Sequence, residues 1–219
     1  MRNLLMYREK VSCFMKKLLL AFAHPDDESF AVSRTVRIYE KSGWEISRFC
    51  AVDLGHAKGS LSRLTPGTLE DPLYRMMDIE LPDVVITFDK TGVNNDPDHM
   101  KICFAATYSF QKYAAWLKGL QKKFRVWATS AHDEAWFRRV ELMVKNNVET
   151  KLYYSCIPAS ALACAVRKGD MTGVSFGKPW RGTPDDRITT VIDQECFILH
   201  MEGTTEHFMG KNDVVGDRL

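Results

Sequence analysis

No segment of this sequence carries the run of about 18 apolar residues that a membrane span needs, so nothing in it reads as a transmembrane helix. The apolar stretch Leu18 to Ala23, behind Lys16 and Lys17, imitates a secretory signal with Ala21-Phe22-Ala23 as its cleavage site. It falls short of the about 7–15 apolar residues such a region uses, and we read it as a first strand. The six cysteines, at 13, 50, 103, 156, 164 and 196, form no Cys-x-x-Cys pair and no regular spacing. Nothing in that spacing marks a metal or disulfide framework, and we expect buried, reduced thiols in a cytoplasmic protein. Charge of one sign is also missing: 30 basic and 28 acidic side chains leave a formal +2, dispersed along the chain. Neither nucleic acid nor an anionic membrane is expected as a partner. There is no internal repeat, and no Gly-x-Gly-x-x-Gly follows the first strand, which argues against a nucleotide-binding methyltransferase or dehydrogenase.

What is present suits one compact domain. The chain has 219 residues, 45% of them hydrophobic, enough for a single substantial core and too few for two large ones. We expect one domain over 15–219, with 1–14 as an N-terminal extension ahead of Met15. The sequence leaves open whether it forms a homo-oligomer.

Strand and helix patterns alternate along that domain. Lys17 to Ala23 is continuously apolar after its lysine, as a strand covered on both faces should be. Phe30 to Ser42 lacks Gly and Pro, places Ala31, Val32, Thr35, Ile38 and Tyr39 at helical spacing, and meets the helix stop Gly43. A second strand follows over Trp44 to Asp53, then a loop over His56 to Pro72, a short helix over Leu73 to Ile79, and a buried strand over Asp83 to Phe88. Pro97 to Lys122 reads as a long helix whose aromatic residues Phe104, Tyr108, Tyr113 and Trp116 are expected in the core. Further strands are expected at Arg125 to Ser130, Lys151 to Cys156 and Arg187 to Asp193, with a helix over Glu134 to Lys145 and a loosely ordered tail from Gly210. The alternation predicts an α/β protein, a three-layer αβα sandwich around a mainly parallel sheet.

In open parallel sheets the loops leaving the carboxyl ends of the strands share one edge, where ligands bind. Two such loops are rich in metal-type side chains: Ala23-His24-Pro25-Asp26-Asp27-Glu28 after the first strand, and Asp89 to His99 after the strand ending at Phe88. Topology alone can bring His24, Asp27 and His99 together. Two imidazoles and a carboxylate suit zinc, and three protein ligands leave a coordination position for water. A carboxylate that does not bind the metal can take the water's proton, and Asp26, aimed elsewhere by the turn at Pro25, is the natural base. The purely structural alternatives are that Pro25 starts a helix whose acids face its dipole, and that Asp96 before Pro97 is a helix N-cap. The second is compatible with a metal site, since a capped helix presents His99 from its first turn.

These residues carry a resemblance. His24-Pro25-Asp26-Asp27-Glu28 after an apolar strand, Pro82 to Asp89 leading to Pro97-Asp98-His99, Leu152-Tyr153-Tyr154 and Asp185 to Asp193 resemble the PIG-L/LmbE-like de-N-acetylase family over most of residues 16–193. The resemblance implies a Rossmann-like αβα sandwich, zinc or another divalent metal on His24, Asp27 and His99, and Asp26 as general base. It also implies a hydrolase that releases acetate from an N-acetylglucosamine-type sugar conjugate. Three departures stand out. Asp96 occupies the place of a histidine that helps stabilise the oxyanion in the family. Only 26 residues separate Gly55 from Pro82, where relatives have a longer stretch, and the Lys-rich closing segment is absent. A relative that binds metal and sugar without turnover is the alternative, and His132, His200 and His207 are candidates to replace the missing histidine.

Overall fold

The computed structural model describes residues 15–122, 132–156 and 195–207. They form an α/β structure around one six-stranded sheet of order β2-β1-β3-β4-β5-β6. β1 (Lys17–Phe22), β2 (Glu45–Cys50), β3 (Val84–Phe88) and β4 (Lys151–Cys156) run parallel. β5 (Cys196–Glu202) and β6 (Thr205–Glu206) are antiparallel to their neighbours. The continuous apolar runs behave as expected: Leu18 to Ala23 and all of β3 are buried, the signature of strands covered on both faces. No helix among the described residues is long and apolar enough to cross a membrane.

The helix expected over 30–42 is two. α1 (Asp27–Ala31) and α2 (Ser33–Lys41) meet at Val32, whose φ of −147° breaks the helical geometry. The break has partners: Ser155 on β4 donates to the Ala31 carbonyl at 3.2 Å, and the Glu195 carboxylate accepts from the Arg34 and Thr35 N–H groups at 2.6 and 2.8 Å. These long-range acceptors and donors satisfy groups that a helix end exposes. Ile38, expected on the buried stripe, is exposed.

Between β2 and α3 (Glu70–Glu80) the chain makes two 3-10 turns, Ala51–Leu54 and Leu61–Arg63, inside the expected strand end and loop. α3 starts three residues before the sequence suggested, because Pro72 is tolerated in a helix's first turn. A short turn α4 (Gly92–Asn95) precedes α5 (Pro97–Lys122), and α6 (Glu134–Lys145) packs against α5. Both long helices match their sequence bounds.

The α5 aromatic stripe needs correction. Tyr113 is fully buried and Trp116 packs on the core, whereas Phe104 and Tyr108 are 53% and 61% exposed. At about 100° per residue, positions 104 and 113 point to opposite sides, so the four aromatics never shared a face. β5 lies where the sequence pattern predicts no strand. The strands expected at 125–130 and 187–193, and the tail from 210, lie outside the described residues.

At the amino ends of the strands Asp83 ties three elements: it accepts from the Lys17 N–H at 2.7 Å and pairs with Arg139 of α6 at 2.8 Å. Arg139 also donates to the carbonyl of Leu81, the residue with left-handed φ (51°) that ends α3. This end of the sheet is fastened, and the opposite end carries the polar cluster.

Candidate metal centre

β1 has β2 on one side and β3 on the other, so the chain's progress across the sheet reverses at β1. Open α/β sheets bind ligands outside the carboxyl ends of the strands at such a point. The loop after β1 carries His24 and Asp27; the segment after β3 leads to His99 in the first turn of α5. All three side chains are buried, to 6%, 4% and 6% exposure, and their ligand atoms converge into one cluster.

Asp27 sits at the first position of α1, yet its carboxylate turns back rather than capping that helix. Its Oδ2 accepts from the Ala23 and His24 N–H groups at 3.1 and 2.8 Å, which leaves Oδ1 for the cluster. His24 is held from behind by Asp98: Nε2 donates to Asp98 Oδ2 at 3.1 Å, so Nδ1 faces the cluster and, in the neutral ring, presents its lone pair there. His99 is held the opposite way round. Its Nδ1 donates to the Gly92 carbonyl at 3.1 Å, its ring stacks on Phe88 with centroids 4.1 Å apart, and Nε2 faces the cluster. Each imidazole is thus fixed in orientation and tautomer by a bond on its far nitrogen, the arrangement typical of metal-binding histidines.

The three inward atoms form a nearly equilateral triangle. His24 Nδ1 to His99 Nε2 is 3.3 Å, His99 Nε2 to Asp27 Oδ1 is 3.4 Å, and His24 Nδ1 to Asp27 Oδ1 is 3.5 Å. Ligands about 2.0–2.1 Å from a tetrahedral zinc ion stand about 3.3–3.4 Å apart. The triangle has the dimensions of one face of such a tetrahedron. Calcium, which takes six to eight oxygens at longer range, does not fit a set dominated by imidazole nitrogen.

Electrostatics agree with the geometry. Burial pushes the Asp27 carboxyl up, but the hydrogen bonds from His24 and His99 outweigh it and hold the group at about 2. His24 is raised above its ordinary value, chiefly by its contact with the Asp27 carboxylate, with burial opposing. Protons and a cation compete for the same three atoms.

Several residues bear on this cluster that sequence reasoning gave no role. Asp98, 1% exposed, accepts from Gly59 N–H (2.6 Å, Oδ2) and Leu61 N–H (3.0 Å, Oδ1) as well as from His24. It joins the 55–61 segment to the cluster. Its place between Pro97 and His99 was the only signal. Gly92 combines a φ of +61° with a crowded Cα: an added Cβ would lie 3.0 Å from His99 Cβ and from Met100 Cγ and N. Val93 and Asn95 also have positive φ, uncommon for a β-branched residue.

The other expected site residues fall as follows. Asp26 is exposed beside Asp27, at the N-cap of α1. Asp96 is an N-cap: its Oδ1 accepts from the Asp98 N–H at 2.8 Å and the His99 N–H at 3.5 Å. His132 bonds Asp78 and stacks on Trp136; His200 stacks on Tyr154 and pairs with Glu206; His207 lies near Glu202. None of the three belongs to the cluster. No protein-family model matches this chain, and no curated protein matches it in sequence. The class defined so far is a mainly parallel α/β protein with a buried His-Asp-His cluster able to hold a metal ion.

Proposed function

We propose that the chain is a zinc-dependent hydrolase that removes the acetyl group from an N-acetylglucosamine-type sugar conjugate, releasing acetate and a free amine. The observation that carries this reading is the 3.3, 3.4 and 3.5 Å triangle of His24 Nδ1, His99 Nε2 and Asp27 Oδ1 at the carboxyl ends of β1 and β3. Three protein donors leave a fourth tetrahedral position for water or substrate, which separates a catalytic set from a structural one. A zinc ion bound there supplies a Lewis acid and lowers the pKa of its water. The protein's part is to hold His24 through Asp98 and His99 through Gly92, to keep Asp27 anionic, and to offer Asp26 as the base that takes the attacking water's proton. Asp26 suits that role because it is adjacent to a ligand but exposed and outside the triangle.

The finer fold belongs to the same reading. Right-handed crossovers would place α2 on one face of the sheet and α3 and α5 on the other, giving the three-layer, Rossmann-like sandwich of the PIG-L/LmbE-like family. Buried Cys103, its thiol pushed up to about 12 by burial, suits a cytoplasmic protein with reduced cysteines.

One observation favours a second reading, a metal- and sugar-binding protein without turnover: Asp96 is committed to the α5 N-cap and offers no positive charge to an oxyanion. Amine release separates the two. Zinc-loaded protein incubated with N-acetylglucosamine and simple N-acetylglucosaminides should release primary amine, and Asp26→Asn should reduce the rate at least about a hundredfold while keeping its zinc. Zinc and sugar bound with no amine formed supports the second reading.

A further inference from the structure

Amide hydrolysis puts negative charge on the carbonyl oxygen, and the product is a carboxylate, so a cation beside the metal is chemically useful. Neither Asp96 nor the three candidate histidines provides it. Another cation lies on the segment that Asp98 ties to the cluster. Residues 57–60 make a tight turn in which Ser60 N–H donates to the Ala57 carbonyl at 3.1 Å and Gly59 has a φ of +81°, the left-handed conformation that a type II turn requires at its third position. Lys58 is the second residue of that turn.

The turn is fastened to the cluster by shared atoms. Gly59 N–H donates to Asp98 Oδ2 at 2.6 Å, the same oxygen accepts from His24 Nε2 at 3.1 Å, and Leu61 N–H donates to Asp98 Oδ1 at 3.0 Å. Lys58 is thus one residue from an amide that shares an acceptor with a cluster imidazole. Its side chain is exposed, and no hydrogen bond or ion pair holds its ammonium among the described residues. A flexible four-carbon stem with three rotatable donors lets the ammonium follow a ligand that enters the site.

We propose that Lys58 binds the negatively charged oxygen of a ligand at the His24-Asp27-His99 cluster: a carboxylate such as acetate, and the carbonyl oxygen of an amide while it is hydrolysed. The second half rests on the hydrolase reading; the first requires only the metal site. In the reaction Lys58 makes and breaks no covalent bond. Water oxygen adds to the carbonyl carbon, its first proton goes to Asp26 and then to the departing nitrogen as the C–N bond breaks. The second proton follows as the new acid ionises, leaving acetate and an ammonium group.

The test is an acetate titration of the cobalt-loaded protein, followed by its visible absorption, in wild type, Lys58→Ala, Lys58→Met and Lys58→Arg. We expect acetate to perturb the spectrum in wild type, with affinity reduced about tenfold in the Ala and Met variants and within about threefold of wild type for Arg, at unchanged cobalt stoichiometry. The Met variant keeps the stem, so a shared loss in Ala and Met reads the charge rather than the packing. Unchanged acetate affinity in both, or no acetate effect in wild type, overturns the proposal. A Lys58-dependent acetate affinity in a protein that releases no amine upholds the anion site and defeats the hydrolase reading alone.

Discussion

Asp98 is the most informative residue to perturb, because one 1% exposed carboxylate serves three donors on two chain segments, the His24 loop and residues 59–61. An Asn side chain at this position has one acceptor oxygen and an amide with two donors. With its oxygen at the Oδ2 site it keeps Gly59 and His24 and turns its amide against the buried Leu61 N–H; the other rotamer keeps Leu61 and loses both partners at Oδ2. The better of the two leaves one buried N–H unpartnered, which costs about 1–3 kcal/mol. It also removes the charge that polarises His24, and loss of such an outer partner lowers metal affinity about 10–100-fold. We predict that Asp98→Asn loses about 1–3 kcal/mol of stability by urea unfolding of the metal-free protein and about 10–100-fold in zinc affinity by chelator competition. Asp98→Ala, which strands all three donors, should exceed it on both counts, with water offsetting part of the loss at exposed Gly59. Zinc affinity equal to wild type in both variants would refute the orienting role.

Two further outcomes are expected. Gly92→Ala places a methyl 3.0 Å from backbone and His99 atoms at a φ of +61°, so it should cost about 1–3 kcal/mol and weaken zinc binding, checked by thermal melts with and without metal. Metal affinity should also fall with acid. His24 is raised, so in the metal-free protein its contribution to stability is full below about 6.5, is lost as pH rises through its folded value, and the proton it holds must leave before metal binds. Asp27, held at about 2, contributes above about 3.8 and loses that contribution only as pH falls toward 2. Zinc should therefore dissociate in the histidine range, well before Asp27 titrates; release confined to the carboxylate range would contradict the assigned ligands.

Much of the frame was legible because single segments decide it. β1 and β3 announce themselves by unbroken burial, and α5 begins where Asp96-Pro97 says a helix should. The convergence of His24, Asp27 and His99 followed from one rule about strand ends. What escaped depends on contacts distant in sequence. The break at Val32 is stabilised by Ser155 and Glu195, more than 120 positions away, and no local pattern encodes it. β5 reads locally as an ordinary apolar run, and only its pairing with β4 makes it a strand. Asp98 resembles any acid in a helix's first turn until the 59–61 backbone is folded onto it. The exposure of Phe104 and Tyr108 follows from helical angle alone, since at about 100° per residue both point well away from buried Tyr113.

The central claim is that His24, Asp27 and His99 form a zinc site. Its most direct test is metal content per chain, by elemental analysis of protein purified without added metal, beside His24→Ala and His99→Ala. The account predicts about one zinc per wild-type chain and loss of it in both variants. A wild type that is metal-free and also refuses added zinc, or variants that keep a full complement, would contradict it.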